Sequence, residues 1–251
     1  IKKNFEKKLG PIKILSIQDA INKSDYVITG TGWATDLEYD AMKYAKEVGK
    51  LLYVYLDHYA NYRQRFIRNG EIVLPDQIWV PDKYAFSFCK DRFPSIKLKL
   101  VKNYYIADQL AKIKTHIKRD KNRLLYILEP TRNTWGKKVL GEFQALEYFL
   151  SRYRILNLPK KTKIILKPHP SDTPGKYNKW IKNKNKSFNI LIDDKLSLNE
   201  LISRCKWVVG CESYALVIAL EAGRKVYSTL PPWANNCRLP HSEIQMLKDM
   251  L

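Results

Sequence analysis

The chain has 251 residues, enough for one large core or two smaller ones, and its 45% hydrophobic and 28% charged fractions are those of an ordinary globular protein. No apolar run nears the roughly 18 residues a membrane span needs, and the start, Ile1-Lys2-Lys3-Asn4-Phe5-Glu6-Lys7-Lys8, has no apolar stretch behind its charges, so the chain reads as cytoplasmic without a signal peptide. Lys and Arg outnumber Asp and Glu by 45 to 25, which suits a nucleic acid, an anionic membrane surface or a phosphorylated substrate, but the lysines form no dominant block or known nucleic-acid motif, and nucleic acid is not favoured.

Short β-branched runs alternate with amphipathic stretches, the pattern of βαβ units and parallel sheets. The chain opens at Ile1 in mid-pattern, which leaves room for a βα unit ahead of it. Ile12 to Ile17 and Tyr26 to Thr29 read as strands. A helix from Ala34 to Val48 follows, with Leu37, Ala41 or Met42, Tyr44, Ala45 and Val48 near a 3.6-residue period and Gly49 as its stop. Strands at Leu51 to Leu56, Gln77 to Val80 and Lys97 to Val101 enclose a helix from Asp82 to Arg92. From Asn103 to Asn122 the chain is polar and basic and reads as an interdomain connection.

The pattern restarts with a strand Arg123 to Leu128, a loop Glu129-Pro130-Thr131-Arg132-Asn133 and a helix Lys137 to Tyr153. Strands Thr162 to Lys167, Phe188 to Ile192, Trp207 to Val209 and Lys225 to Ser228 then alternate with helices Gly175 to Lys182, Ser197 to Arg204 and Ser213 to Ala222. The expected fold is α/β: two tandem Rossmann-like domains, residues 1–110 and 111–251, each a parallel sheet flanked by helices. The four cysteines form no C-x-x-C pair and no metal-ligand spacing with the histidines, so buried free thiols are expected and no metal site.

In open parallel sheets ligands bind beyond the carboxyl ends of the strands. Two motifs fall there. In Lys167-Pro168-His169-Pro170 the prolines fix φ and stiffen the turn, so His169 is held for recognition, able to donate to a phosphate or ribose hydroxyl, with Lys167 adding charge. Trp207-Val208-Val209-Gly210 delivers Cys211-Glu212-Ser213-Tyr214 to a helix start, where Ser213 can cap the helix and hold a phosphate. Glu212 repels phosphate and suits a sugar hydroxyl or base N–H better.

With Asp193-Asp194, Leu196 to Leu201 and Ala219-Leu220-Glu221-Ala222-Gly223, these motifs resemble, over residues 123 to 240, the C-terminal half of GT-B glycosyltransferases. The likeness is to bacterial sialyl-, polysialyl- and Kdo transferases and teichoic-acid polymerases, which use CMP- or CDP-activated donors. The resemblance implies that His169 and Pro170 contact the nucleotide, that Lys167 flanks it and that Ser213 holds its phosphate. It implies a nucleotide-sugar donor, a glycan or lipid-linked acceptor and no cofactor. Several such families have Ser-Ser where this chain has Glu212-Ser213-Tyr214, which leaves the donor open. Thr131 and Arg132 are further donor-side candidates.

An inverting enzyme of this kind works without a metal, since basic groups and a helix dipole neutralise the leaving phosphate, but it requires a carboxylate or imidazole to take the acceptor proton. In the first half these groups fall in two loops expected to face the interdomain cleft, Gly30 to Glu38 with Asp36, and Asp57 to Arg63 with Asp57 and His58. Adjacent residues on an extended chain point apart, which argues against a direct Asp57–His58 dyad. Two rival readings remain open: an isomerase of the UDP-GlcNAc 2-epimerase type, with a uridine preference, and a basic nucleic-acid-binding protein, with steep salt dependence.

Overall fold

The computed structural model describes residues 6, 9–32, 35–113, 120–131 and 133–250. The fold is α/β, with parallel sheets flanked by helices, and the chain divides into two compact units, Ile1–Asn103 and Tyr104–Leu251. No helix of the described residues is long and apolar enough to cross a membrane.

The first unit is a four-stranded parallel sheet. Its strands are β1 (Tyr26–Thr29), β2 (Leu51–Tyr55), β5 (Gln77–Val80) and β6 (Lys97–Leu100), in the order β1-β2-β5-β6. A two-stranded hairpin, β3 (Ile67–Arg68) and β4 (Glu71–Ile72), lies between β2 and β5; the sequence reading has no counterpart for it. Alternate residues Val27, Leu52, Val54, Ile78 and Val80 pack on α2 (Leu37–Glu47) and α3 (Lys83–Arg92) through Tyr39, Met42, Ala45, Ala85 and Cys89. On the opposite face Tyr26, Ile28 and Leu51 are about half exposed, at 53, 49 and 54%. There Tyr53 stacks on Trp79 at 5.3 Å and the Lys99 ammonium lies 5.1 Å from the Trp79 ring.

Two expectations for this unit are corrected. Ile12 to Ile17 is no strand: Ser16 Oγ accepts the Asp19 N–H, and this N-cap starts α1 at Ile17–Asn22 instead. In α2 it is Tyr39, not Leu37 or Val48, that is buried; both of the latter are exposed. Asp82 starts α3 by accepting the Tyr84 and Ala85 N–H groups.

The second unit opens with α4 (Tyr104–Lys112), in the stretch read as a connection. Its Ile106 and Leu110 join the core, an apolar face that the basic composition masks. The six-stranded parallel sheet has the order β12-β11-β10-β7-β8-β9, from β7 (Asp120–Ile127), β8 (Lys163–Lys167), β9 (Ile190–Ile192), β10 (Cys205–Gly210), β11 (Lys225–Ser228) and β12 (Gln245–Met246). Both faces are buried. One packs on α5 (Gly141–Ser151) and α6 (Asn178–Lys184) through Leu146, Phe149 and Ile181, and the other on α4, α7 (Leu198–Arg204) and α8 (Tyr214–Glu221) through Leu201, Ile202, Leu216 and Val217. Trp135 and Gly136 at positive φ hold the chain in a turn, so α5 starts four residues later than its expected Lys137. Ser197 and Glu200 form a capping box at α7. All four cysteines are free; Cys89, Cys205 and Cys211 are buried and Cys237 partly so.

Candidate functional site

Register fixes what meets at the carboxyl edge of the second sheet. Ile127 pairs with Lys167 on one side and with Gly210 on the other, so the three strand ends lie side by side. The His169 loop and the Ser213 loop therefore leave the same edge, two strand spacings or about 10 Å apart, with the Glu129 loop between them. Two cavities open along this edge.

The first, of about 490 Å³, is lined by Lys167, Pro168, His169, Pro170, Asp172, Lys176, Tyr177 and Asp194 among others. Ser171 engages Nδ1 of the His169 ring through both its backbone N–H and its hydroxyl, the latter at 2.7 Å. The Ser171 N–H donates to Nδ1 at 3.1 Å, and a backbone N–H can only donate, so Nδ1 keeps its lone pair and the neutral ring carries its proton on Nε2. In this tautomer the Nε2 of the exposed ring is a hydrogen-bond donor. The Lys167 ammonium donates to the carbonyls of Leu196 at 2.6 Å and Asp194 at 3.3 Å, tying β8 to the loop after β9.

Below the His169 turn lies a buried ion network. Lys176 bridges Asp172 and Glu142, each at 2.6 Å, and both carboxylate side chains are only 2% exposed. Asp172 also accepts the His169 N–H at 3.0 Å and the Tyr177 hydroxyl at 3.2 Å. Burial pushes the Asp172 carboxyl up, but its bonds to Lys176 and His169 outweigh this and hold it below the ordinary aspartate value.

The second cavity, of about 400 Å³, lies between the loops that follow β7 and β10. Strand order reverses there: β7, β8 and β9 step one way, and β10, β11 and β12 continue from the other side of β7. This is the topological switch point, where open α/β sheets form their ligand crevice. The N–H groups of Glu212, at 3.0 Å, and Ser213 donate to the Glu129 carboxylate, so the two backbone donors that lead into α8 are taken by a protein side chain. Burial, reinforced by the charge of Glu212, pushes Glu129 above the ordinary glutamate value. Arg238 grips Glu212 through its Nε at 2.9 Å, its NH2 at 2.6 Å and its backbone N–H at 3.0 Å.

The far wall is pinned as firmly. Asn133 Oδ1 accepts the Trp135 N–H, Gly141 N–H donates to the Asn133 carbonyl, and Gln144 Nε2 donates to the carbonyls of Thr134 and Val139. Gly141 is required by this packing: a Cβ there would lie 2.7 Å from Asn133 O and 2.7 Å from Thr131 Cγ2.

Of the residues expected on the donor side, Lys167, His169 and Pro170 line the first cavity, and Thr131 and Glu212 the second. Ser213 Oγ caps α8 by accepting the Ala215 N–H at 3.3 Å, and Tyr214 packs on Tyr105 with ring centroids 6.2 Å apart; both lie outside the lining of these two cavities. Arg132 lies outside the described residues.

In the first unit, His58 Nε2 is 3.3 Å from Asp57 Oδ1, so the neighbours do meet. The chain has left β2 after Tyr55, and strand alternation no longer separates them. Asp36 precedes α2 without capping it and pairs instead with Arg68 Nε at 2.9 Å. Glu38 takes the Gly32 N–H, and its carboxylate packs where Gly30 and Gly32 lack a Cβ.

Sequence reasoning missed Glu129, Asp172, Lys176, Glu142 and Arg238 as site residues. A signal existed for two pairs: Asp172 and Lys176 stand four apart, and Glu129 with Pro130 ends the central strand. Arg238 and Glu142 meet their partners only through tertiary folding. A search of the curated proteins returns no match. The family model described as "Capsule polysaccharide biosynthesis protein" matches residues 53–233. That span runs from β2 past β11, through the His169 turn and most of the lining of the switch-point cavity, and covers well over half of the sequence, so the chain belongs to the capsule polysaccharide biosynthesis protein family.

Proposed function

We propose that this protein is a GT-B-type glycosyltransferase of surface-glycan synthesis, which moves a sugar from a nucleotide-activated donor, with CMP favoured, to a glycan or lipid-linked acceptor. The single observation that carries the reading is the His169 turn. An imidazole whose Nδ1 is engaged by Ser171, leaving Nε2 for a ligand, sits between two prolines in a cavity at the carboxyl edge of a parallel sheet. A ring held in this way suits a nucleotide's ribose or phosphate oxygens better than proton shuttling, which needs Nδ1 or Nε2 free to change roles. Membership of a capsule-biosynthesis family supports a sugar as the transferred group.

In this reading the second unit holds the donor and the first holds the acceptor. Asp57 and His58, exposed and within reach of each other, are the groups to take the acceptor proton, with Asp36 the alternative once freed from Arg68. Acceptors anchored in an anionic membrane would suit the chain's excess of 20 positive charges.

Thermal-shift titration with CMP and UDP tests the reading. Stabilisation by CMP that disappears in His169→Ala is expected. A preference for UDP would favour the isomerase, and no shift with any nucleotide would remove both.

A further inference from the structure

We propose that the switch-point cavity between the β7 and β10 loops is a second ligand site, which takes a pyranose without an acidic group while the nucleotide occupies the His169 cavity. The assignment of a sugar rests on the transferase reading; the cavity and its charge do not.

Three observations lead there. First, the cavity stands where strand order reverses, and its two walls are held by hydrogen bonds that involve no ligand, so it is formed in advance. Second, the charge of its described lining is wrong for an anion. Glu129 already takes the Glu212 and Ser213 N–H groups that lead into α8, and the Arg238 guanidinium is engaged with Glu212. Among the described lining residues two carboxylates face one paired cation, and a phosphate or an acidic sugar entering here would meet uncompensated negative charge. Third, the remaining lining suits an uncharged, hydroxyl-dense ring. The side-chain amides of Asn235 and Asn236 each donate and accept, Asn133 adds its amide N–H groups, Glu129 accepts, and Trp135, packed on Ala145, Cys211 and Leu230, makes part of the lining apolar, as the C–H face of a sugar requires. Trp135 is held at φ +47°, a left-handed conformation that a bulky residue rarely adopts and that concentrates at functional sites.

Saturation-transfer NMR on the full chain, with the methyl glycosides of glucose, galactose and N-acetylglucosamine as probes, decides the matter. Transfer to at least one of them is expected, persisting under saturating CMP and lost in Trp135→Ala. Because that residue sits in a strained turn, Asn236→Ala on the exposed rim serves as the second variant, and it too should lose the signal. Displacement of the glycoside by CMP would overturn the inference, since the two would then share one site. So would transfer to no neutral glycoside from a protein that binds CMP, or transfer that both variants leave intact; the nucleotide reading survives these results. Glycoside binding that depends on Trp135 in a protein that ignores CMP would have the opposite meaning: the sugar cavity stands and the nucleotide reading falls.

Discussion

The two sheets are built from the same kind of unit and end up differently covered. In the first, β1, β2, β5 and β6 step in one direction, and right-handed crossovers then put every connecting helix on one face. In the second, the chain steps outward from β7 through β8 to β9, returns across the sheet, and steps the other way through β10, β11 and β12. Its helices therefore divide between two faces, and a crevice opens where the direction changes. Only the second arrangement generates a switch point among the described strands. It is also the one whose candidate residues are braced by buried charges, whereas Asp57 and His58 lie exposed beside their sheet.

The sharpest test of this contrast is stability. Phe149→Ala in the doubly covered sheet should cost about 3–5 kcal/mol in urea unfolding, since the ring is fully buried against Tyr126 and Tyr153. Lys176→Met should cost about as much, 3–5 kcal/mol by analogy with other broken buried pairs, because Asp172 and Glu142 lose their counter-charge. A loss below about 1 kcal/mol in both would mean that this unit is no better braced than the first.

Next come the functional arms. Asp57→Ala should lower turnover by about 10²–10⁴-fold while sparing the CMP thermal shift. Loss of CMP binding in that variant would contradict the separation of donor and acceptor roles.

Acidity should separate two carboxyls of the second unit. Glu129 lies above its ordinary value, so the folded state binds the extra proton first, and its contribution to stability rises as pH falls from the raised value to the ordinary one. Asp172 lies below its ordinary value, so its contribution is present above that value and is lost as pH falls further. Glu129→Gln should erase the first slope and leave the second; if the first slope survives in that variant, another group causes it.

Smaller effects complete the series. Ser213→Ala should cost about 1 kcal/mol as a lost helix cap, and a loss of CMP binding as well would restore the phosphate role that the resemblance implies. Ile28→Ser on the open face of the first sheet should change stability by about 0.5 kcal/mol or less. A cost like that of Phe149→Ala would mean that the face is covered in solution.

Much of this architecture was legible in the residues. Strands Gln77–Val80 and Lys225–Ser228 have the bounds that the sequence predicts, and Ser197 and Asp82 announce their helices by local chemistry. The failures have a common cause in tertiary context. Ile12 to Ile17 has strand composition, but a single serine hydroxyl placed the turn. The basic stretch before β7 concealed an amphipathic helix whose apolar side matters only once α7 and α8 are there to meet it. At the site, the proline-flanked histidine was visible because its stiffness is local. The bond from Glu129 to the segment leading into α8, 83 residues away at Glu212, was not.

The first turn of α5 is bonded to a lining residue of each cavity. Gly141 holds the Asn133 carbonyl on one side, while the neighbouring Glu142 holds Lys176 on the other. A ligand that displaces either loop therefore loads the same peptide units, and thermodynamic linkage makes the influence reciprocal. If filling one cavity tightens that turn, the second ligand binds more strongly by the same factor as the first. Order of addition would then leave the final affinities unchanged, and cooperativity between nucleotide and sugar would be set by two adjacent residues that touch neither.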